Sequence, residues 1–276
     1  MKKFIFLSTL ALSALMLSSC CAEPSQKQPK YVFYLILDGC GVNTVNAQEM
    51  YQAELQGRIG RVPTCMTQFP VVGVASTYST TNGVTDSAAS GTALASGVKT
   101  YNGALGVDPD TIPVYGLANW AKAAGKLVGI GSSVCVNHAT PGAQYAHQST
   151  RNNYYEIGLD LAASGFDFFG GSDFNKATGN KKDLRPLHEI AADSGYTIAR
   201  GLEDYEAKKA AADKLIFFQL QADSDIEPQN LPYWIDHRED QVTIVDQVRA
   251  QIDFLYSKDT EKKGFFLMNE IGGTID

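Results

Sequence analysis

The amino-acid sequence predicts an α/β protein of three layers, with helices on both faces of a mainly parallel central sheet. Three observations predict it. Short β-rich runs alternate with helical stretches along most of the chain, the pattern of a parallel sheet covered on both sides. The first run, Tyr31 to Leu37 (YVFYLIL), is apolar on both faces, as a central strand of such a sheet should be. Finally, 276 residues with 44% hydrophobic content suffice for a sizeable core within one domain, and no internal repeat, low-complexity segment or second domain stands out.

Each element follows from its own local signals. Asp86 suits a helix N-cap, Ala88, Ala89, Ala93, Leu94 and Ala95 favour helix, and Gly97 suits a stop. Val114 to Ala124, with Leu117, Trp120, Ala121 and Ala124 apolar, reads as a helix that ends at Gly125 and feeds a strand from Leu127 to Gly131. Similar pairs follow: a helix over Asn153 to Ala163 before Phe166 to Phe169, one over Leu187 to Ser194 before a strand at Tyr196, and one over Leu202 to Ala212 before Leu215 to Leu220. The longest helix spans Thr243 to Tyr256, with Val245, Val248, Ile252 and Leu255 on one face, and Phe265 to Met268 is the last strand.

Ahead of these elements, Met1-Lys2-Lys3 and the apolar run from Phe4 to Leu17 have the charged start and short hydrophobic stretch of a secretory signal, too short for a confident membrane span. Leu17-Ser18-Ser19-Cys20 resembles the lipobox of bacterial lipoproteins, which makes residues 1–20 a lipoprotein signal and 21–30 a polar tether. Ordinary cleavage beside Cys21 or Ala22 is the alternative. The implied location is the bacterial cell envelope, periplasmic or at the outer membrane, with membrane contact only through a lipid anchor. A net charge of −7, a pI near 5.1 and the lack of a long Lys/Arg run exclude nucleic acid and anionic membrane surfaces as partners. Of the five cysteines, Cys20 would carry the lipid, and a disulfide among the rest is open in an oxidising compartment. Cys40, Cys65 and Cys135 each read as small buried residues rather than ligands or nucleophiles.

Ligands of an open α/β sheet bind beyond the carboxyl ends of its strands. Asp38 stands there, in Asp38-Gly39-Cys40-Gly41 directly after the first strand, either as a site carboxylate or as an ordinary turn aspartate. A dinucleotide fingerprint would need a further glycine near Thr44, which is absent. Ser87 falls in the first turn of its helix, where free backbone N–H groups and the helix dipole can receive an anion; locally it is either a nucleophile or one more small packing residue. No GxSxG elbow is present, which disfavours a serine esterase of the α/β-hydrolase kind.

Several segments, taken in order, resemble the alkaline phosphatases: Leu37-Asp38-Gly39, Thr85 to Ser90, Gly97 to Val107, His138-Ala139-Thr140-Pro141, Tyr145-Ala146-His147, Arg151 and Gly264 to Met268. The resemblance runs from about Tyr31 to the end of the chain, and it implies a phosphate monoester hydrolase that works through a phosphoserine intermediate with Zn2+ and Mg2+. Ser87 would be the nucleophile and a zinc ligand, its hydroxyl activated by that coordination. Asp86 would orient Arg151, otherwise a plain solvated arginine, whose planar fork can hold two phosphate oxygens. Asp38 would bridge the serine-side zinc and the magnesium, and Thr140 and Glu270 would complete an oxygen-rich magnesium site. At His138 the resemblance implies a weak or water-mediated contact to magnesium, and His147, His188 and His237 read as structural. The resemblance also implies a homodimer.

The pattern departs from the family near the end. Glu270 and Asp276, the magnesium ligand and the first ligand of the second zinc by resemblance, are separated by one residue more than in the family, which would shift them out of register. The family's other zinc ligands come from later sequence, so this chain is expected to be an N-terminal portion with incomplete zinc sites, little activity, and an apolar sheet edge exposed after Met268. Two other readings compete: a non-catalytic remnant that binds magnesium or phosphate, and a related metallo-phosphodiesterase or sulfatase, which the serine disfavours.

Overall fold

The structure is a computed structural model, and it describes residues 28–220, 230–233 and 237–272. The signal segment, most of the tether, Cys20, Cys21 and Asp276 lie outside the described residues. The chain divides after Lys30, and all the elements below belong to the unit that begins at Tyr31.

Apolar residues at successive positions of short runs, each facing the opposite way from its neighbour, build a six-stranded sheet. Its strands are β1 (Val32–Leu37), β2 (Leu127–Ser132), β3 (Phe168–Gly171), β4 (Tyr196–Arg200), β5 (Lys214–Phe218) and β6 (Phe265–Ile271). They lie in the order β1-β6-β2-β3-β5-β4, and every pairing is parallel. The helices of the unit are α1 (Val42–Leu55), α2 (Ser87–Ser96), α3 (Leu117–Ala123), α4 (Ala139–Gly142), α5 (Tyr154–Ala163), α6 (Leu187–Asp193), α7 (Gly201–Lys208) and α8 (Ile244–Lys258). No helix among the described residues is long and apolar enough to cross a membrane.

Two buried clusters divide along the two faces. Phe266 and Met268 of β6, Phe169 of β3 and Phe218 of β5 pack with Ala88 of α2, Ala139 of α4, Ile157 of α5 and Leu187 of α6. The alternate residues, Phe265, Leu267, Phe168 and Phe217, face Phe254 and Leu255 of α8 and Tyr205 of α7. Burying each of these large side chains contributes about 2 kcal/mol. The close seat of α8 on the sheet depends on small residues beneath it: a Cβ at Gly131 would lie 2.0 Å from Asn269 Oδ1 and 2.9 Å from Gln247 Nε2.

The structure corrects several expectations. Tyr31 to Leu37 was expected to be central, yet β1 is the outer strand of the described sheet, with Phe33 53% and Leu35 55% exposed. Conversely, β6 inserts between β1 and β2 and is buried on both sides, so among the described residues the apolar edge lies at β1 rather than at the strand that carries Met268. Parallel crossovers let a late strand enter between two early ones, so order along the chain does not give order in space. Cys65 is exposed rather than buried, while Cys135 is buried, Cys40 is partly so, and all three are free thiols. Burial pushes the Cys135 thiol up to about 12. The expected helix from Val114 begins only at Leu117, where Gly116 takes the N-cap position. Helix α1 carries no amphipathic stripe in its sequence and was not anticipated.

Candidate active site

The sheet's carboxyl edge gathers the site. Leu37 ends β1, so Asp38 stands just past the strand, and its backbone N–H donates to Ile271 O of β6 at 3.1 Å. Glu270 of β6 pairs in register with Ile36 of β1 and Ser132 of β2. Alternation along β6 turns Asn269 toward α8, where its amide donates to Gln251, and turns Glu270 toward the face that carries Met268. The place of Glu270 in this chain is set by strand pairing with β1 and β2. Asp276 itself lies outside the described residues.

Helix α2 begins where its sequence says it should. Asp86 Oδ1 accepts from Ala89 N–H at 3.0 Å as the N-cap, and Gly97 ends the helix in the left-handed region at φ 78°. Ser87 is thus held in the first turn, partly exposed, and its hydroxyl donates to Asp38 Oδ2 at 2.7 Å. Thr140, at the start of α4, directs its own hydroxyl at the same oxygen at 3.4 Å. On the other side of Ser87, Arg151 Nη1 donates to Asp86 Oδ2 at 3.3 Å. Burial acts to raise the Asp86 carboxyl, but the Ala89 and Gly103 N–H groups and Arg151 outweigh it, and its pKa is lowered. One aspartate therefore caps the helix with one oxygen and holds the arginine with the other.

His138 contacts that arginine. Arg151 Nη2 lies 3.1 Å from His138 Nε2, and since a guanidinium only donates, Nε2 must accept. Burial, and then the Arg151 cation, push the imidazole down to about 4 against the opposing charge of Asp38. His138 is thus neutral, with the proton on Nδ1, a buried atom that has no partner among the described residues. This geometry makes His138 a partner of Arg151.

Glu270 is buried, and Ser132 Oγ donates to its Oε2 at 2.5 Å, while Oε1 has no hydrogen-bond partner of good geometry among the described residues, with Thr140 and Asp38 as its polar neighbours. Burial raises Glu270 to about 7; the Ser132 and Thr140 hydroxyls oppose it, and the Asp38 carboxylate adds to it. A buried carboxylate with one unused oxygen, near a second carboxylate and a threonine hydroxyl, fits a hard cation that prefers oxygen ligands. Among the described residues no group of three or more His, Cys, Asp or Glu side chains is placed to hold a metal ion, so the oxygen cluster offers two carboxylates and hydroxyl groups rather than a complete ligand set.

Sequence reasoning overlooked Ser132 and Asn137. Ser132 ends a strand at the carboxyl edge, which was signal enough to include it. Asn137 carried no local signal, because its partners, Tyr154 and Asn175, come from distant segments. The histidines expected to be structural behave so where their contacts are defined: His147 Nδ1 lies 2.7 Å from Gly106 O, and His188 Nε2 lies 2.6 Å from Asp173.

The same arrangement of chain is found in known proteins. A family model described as alkaline phosphatase matches residues 29–167. An alkaline phosphatase of Gadus morhua is 30% identical over 87% of this chain and 58% of its own length. Alkaline phosphatase 3 of Bacillus subtilis is 31% identical over 91% of this chain and 52% of its own. Among solved structures, an alkaline phosphatase from the Antarctic bacterium TAB5 superposes with a TM-score of 0.71 at 27% identity, covering 90% of this chain and 66% of that one. The enzyme of Thermus thermophilus superposes at 0.70, covering 87% and 49%. This chain thus spans a little over half the length of these curated relatives. Its fold, its ordered motifs and these likenesses make the chain a member of the alkaline phosphatase family.

Proposed function

We propose that this chain acts on phosphate monoesters through a phosphoserine at Ser87, and that it carries the nucleophile and the magnesium side of the site. The observation that carries the reading is the seat of Ser87: its hydroxyl faces Asp38 at 2.7 Å while Arg151 is held on the adjoining Asp86. Ser87 Oγ attacks phosphorus, the new Oγ–P bond forms, and the bond from phosphorus to the alcohol oxygen breaks. Asp38 Oδ2 is the acceptor in place for the serine proton, and the departing alkoxide takes its proton from solvent. Arg151 offers two parallel N–H groups to the phosphoryl oxygens, and the free N–H groups of the first turn of α2 add to them. Neutral His138 accepts from Arg151 and fixes the plane of its fork without adding charge. Water then cleaves the Oγ–P bond and releases phosphate.

Asp38, Thr140 and Glu270 would hold Mg2+, which when bound supplies positive charge beside the transferring group. A variant of the TAB5 enzyme has been solved with magnesium bound, which supports this assignment. Zn2+ belongs to the reading only through the family. The placement of the chain as an envelope lipoprotein through Cys20 belongs to the same proposal, and incorporation of labelled palmitate in a bacterial host would test it.

Incubation with p-nitrophenyl phosphate and Mg2+, acid quenching and peptide mass spectrometry should find phosphate on Ser87, with release of p-nitrophenol. Ser87→Ala should remove both. Phosphate binding without any covalent adduct would favour the non-catalytic remnant instead.

A further inference from the structure

A cavity of about 320 Å³ is lined on one side by Tyr154, whose ring lies against His138, the partner of Arg151. Its walls include Tyr154 and Glu156 of α5, and Lys176, Asn180, Lys181 and Asp183 from the segment after β3. Three observations connect it to the site. Tyr154 lies three residues past Arg151, and its ring stacks on the His138 imidazole with centroids 6.5 Å apart and planes 24° from parallel. Asn137, fully buried and next to His138, ties both walls to the site's own loop. Its Nδ2 donates to Tyr154 O and Asn175 O, each at 2.8 Å, and its Oδ1 accepts from Asn175 N–H at 2.8 Å. The cavity is therefore fixed in relation to Arg151 before any ligand arrives.

The third observation is Lys176. Its backbone is left-handed, with φ 49°, a conformation that costs a non-glycine residue about 1 kcal/mol. This directs its ammonium over the Tyr154 ring, 5.2 Å from the centroid. A ring face holds a cation in place without neutralising it. Neither Lys176 nor Lys181 forms an ion pair among the described residues, although Glu156 and Asp183 line the same cavity. On a chain of net charge −7, two ammonium groups without an ion-pair partner among the described residues line a cavity whose Tyr154 wall stacks on His138, the partner of Arg151.

We infer that this cavity is a leaving-group subsite: it takes the alcohol portion of a phosphate monoester that carries a second anionic group, a phosphate or a carboxylate, and Lys176 determines that specificity. The inference rests on the phosphatase reading of Ser87 and Arg151. An ammonium is a compact point charge and accepts either anion, so the two sources must be separated by the ligands used.

Calorimetric titration of the whole chain in Mg2+, at about 0.15 M salt to screen non-specific attraction, tests it with four ligands: inorganic phosphate, glycerol 3-phosphate, 3-phosphoglycerate and fructose 1,6-bisphosphate. One or both of the last two should bind about fivefold more tightly than glycerol 3-phosphate, as one partly exposed charge pair allows. Whichever does so identifies the second anion. Lys176→Met should erase the preference and leave inorganic phosphate unchanged, and Lys176→Arg should retain it. Equal affinities in the wild type, or a preference that survives in Lys176→Met, would overturn the subsite. Phosphate binding that is indifferent to Arg151→Ala would instead overturn the phosphatase reading and the subsite with it.

Discussion

Ser87 owes its chemistry to a residue 49 positions away. Alone it is a hydroxyl in a first helical turn; with Asp38 Oδ2 at 2.7 Å it is a hydroxyl with a proton acceptor in place. Asp86 divides its two oxygens between the helix cap and Arg151, and that division makes the arginine a fixed fork rather than a solvated side chain. Arg151→Lys keeps the charge and loses the fork. It should weaken phosphate binding by roughly tenfold, the equivalent of one charge-assisted hydrogen bond, with little change in melting temperature; calorimetry and thermal denaturation would check the pair of outcomes.

At the scale of the element, α2 shows how a cap and a site can share one residue and still be separated by experiment. Asparagine caps helices as well as aspartate does, so Asp86→Asn should leave stability within about 0.5 kcal/mol while it loosens Arg151 and weakens phosphate binding. Asp86→Ala should lose the binding and a further 1 kcal/mol or so of stability. Urea unfolding beside phosphate titration distinguishes these outcomes. This helix was fully legible in the sequence, since its cap, its alanines and its Gly97 stop are all local signals. Strand β6 was legible only in part. Its apolar run gave Phe265 to Met268, but Asn269 and Glu270 continue it, held by pairing with β1 and β2 rather than by any β propensity of their own. For the same reason the register of Glu270 could not be judged by counting from the family's spacing.

Over the whole molecule, two features govern stability and solubility. Asp173, after β3, accepts from His188 of α6 at 2.6 Å and from Arg200 of β4 at 2.8 Å, and so joins three elements. Burial acts to raise its carboxyl, but the His188 hydrogen bond and the Arg200 charge prevail, and the folded value lies below the ordinary one. The unfolded chain then takes up the proton first as pH falls. Stability from this group is complete above the ordinary carboxylate value of about 3.9 and is lost as pH drops through the lower folded value. Asp173→Asn should be less stable than the wild type near neutrality, and the gap should close below about pH 4 in thermal melts across pH. The second feature is the outer side of β1, where Phe33 and Leu35 stand more than half exposed on an uncharged strand. Unpaired apolar edges favour association. Leu35→Lys should reduce concentration-dependent light scattering of this chain without lowering its melting temperature.

The sequence by itself determined the α/β class, the helix that presents Ser87, the positions of Asp38 and Arg151, and the resemblance in which they have roles. Each of these is written in short-range signals: periodicity, caps, glycine stops and contiguous motifs. The tertiary structure alone decided that β6 enters between β1 and β2, that Glu270 faces Ser132 and Asp38 while Asn269 faces α8, and that His138 accepts from Arg151. Those facts depend on which distant segments pair across a parallel sheet. Such pairing is settled by the burial of both faces at once, and no local stretch of sequence contains that sum.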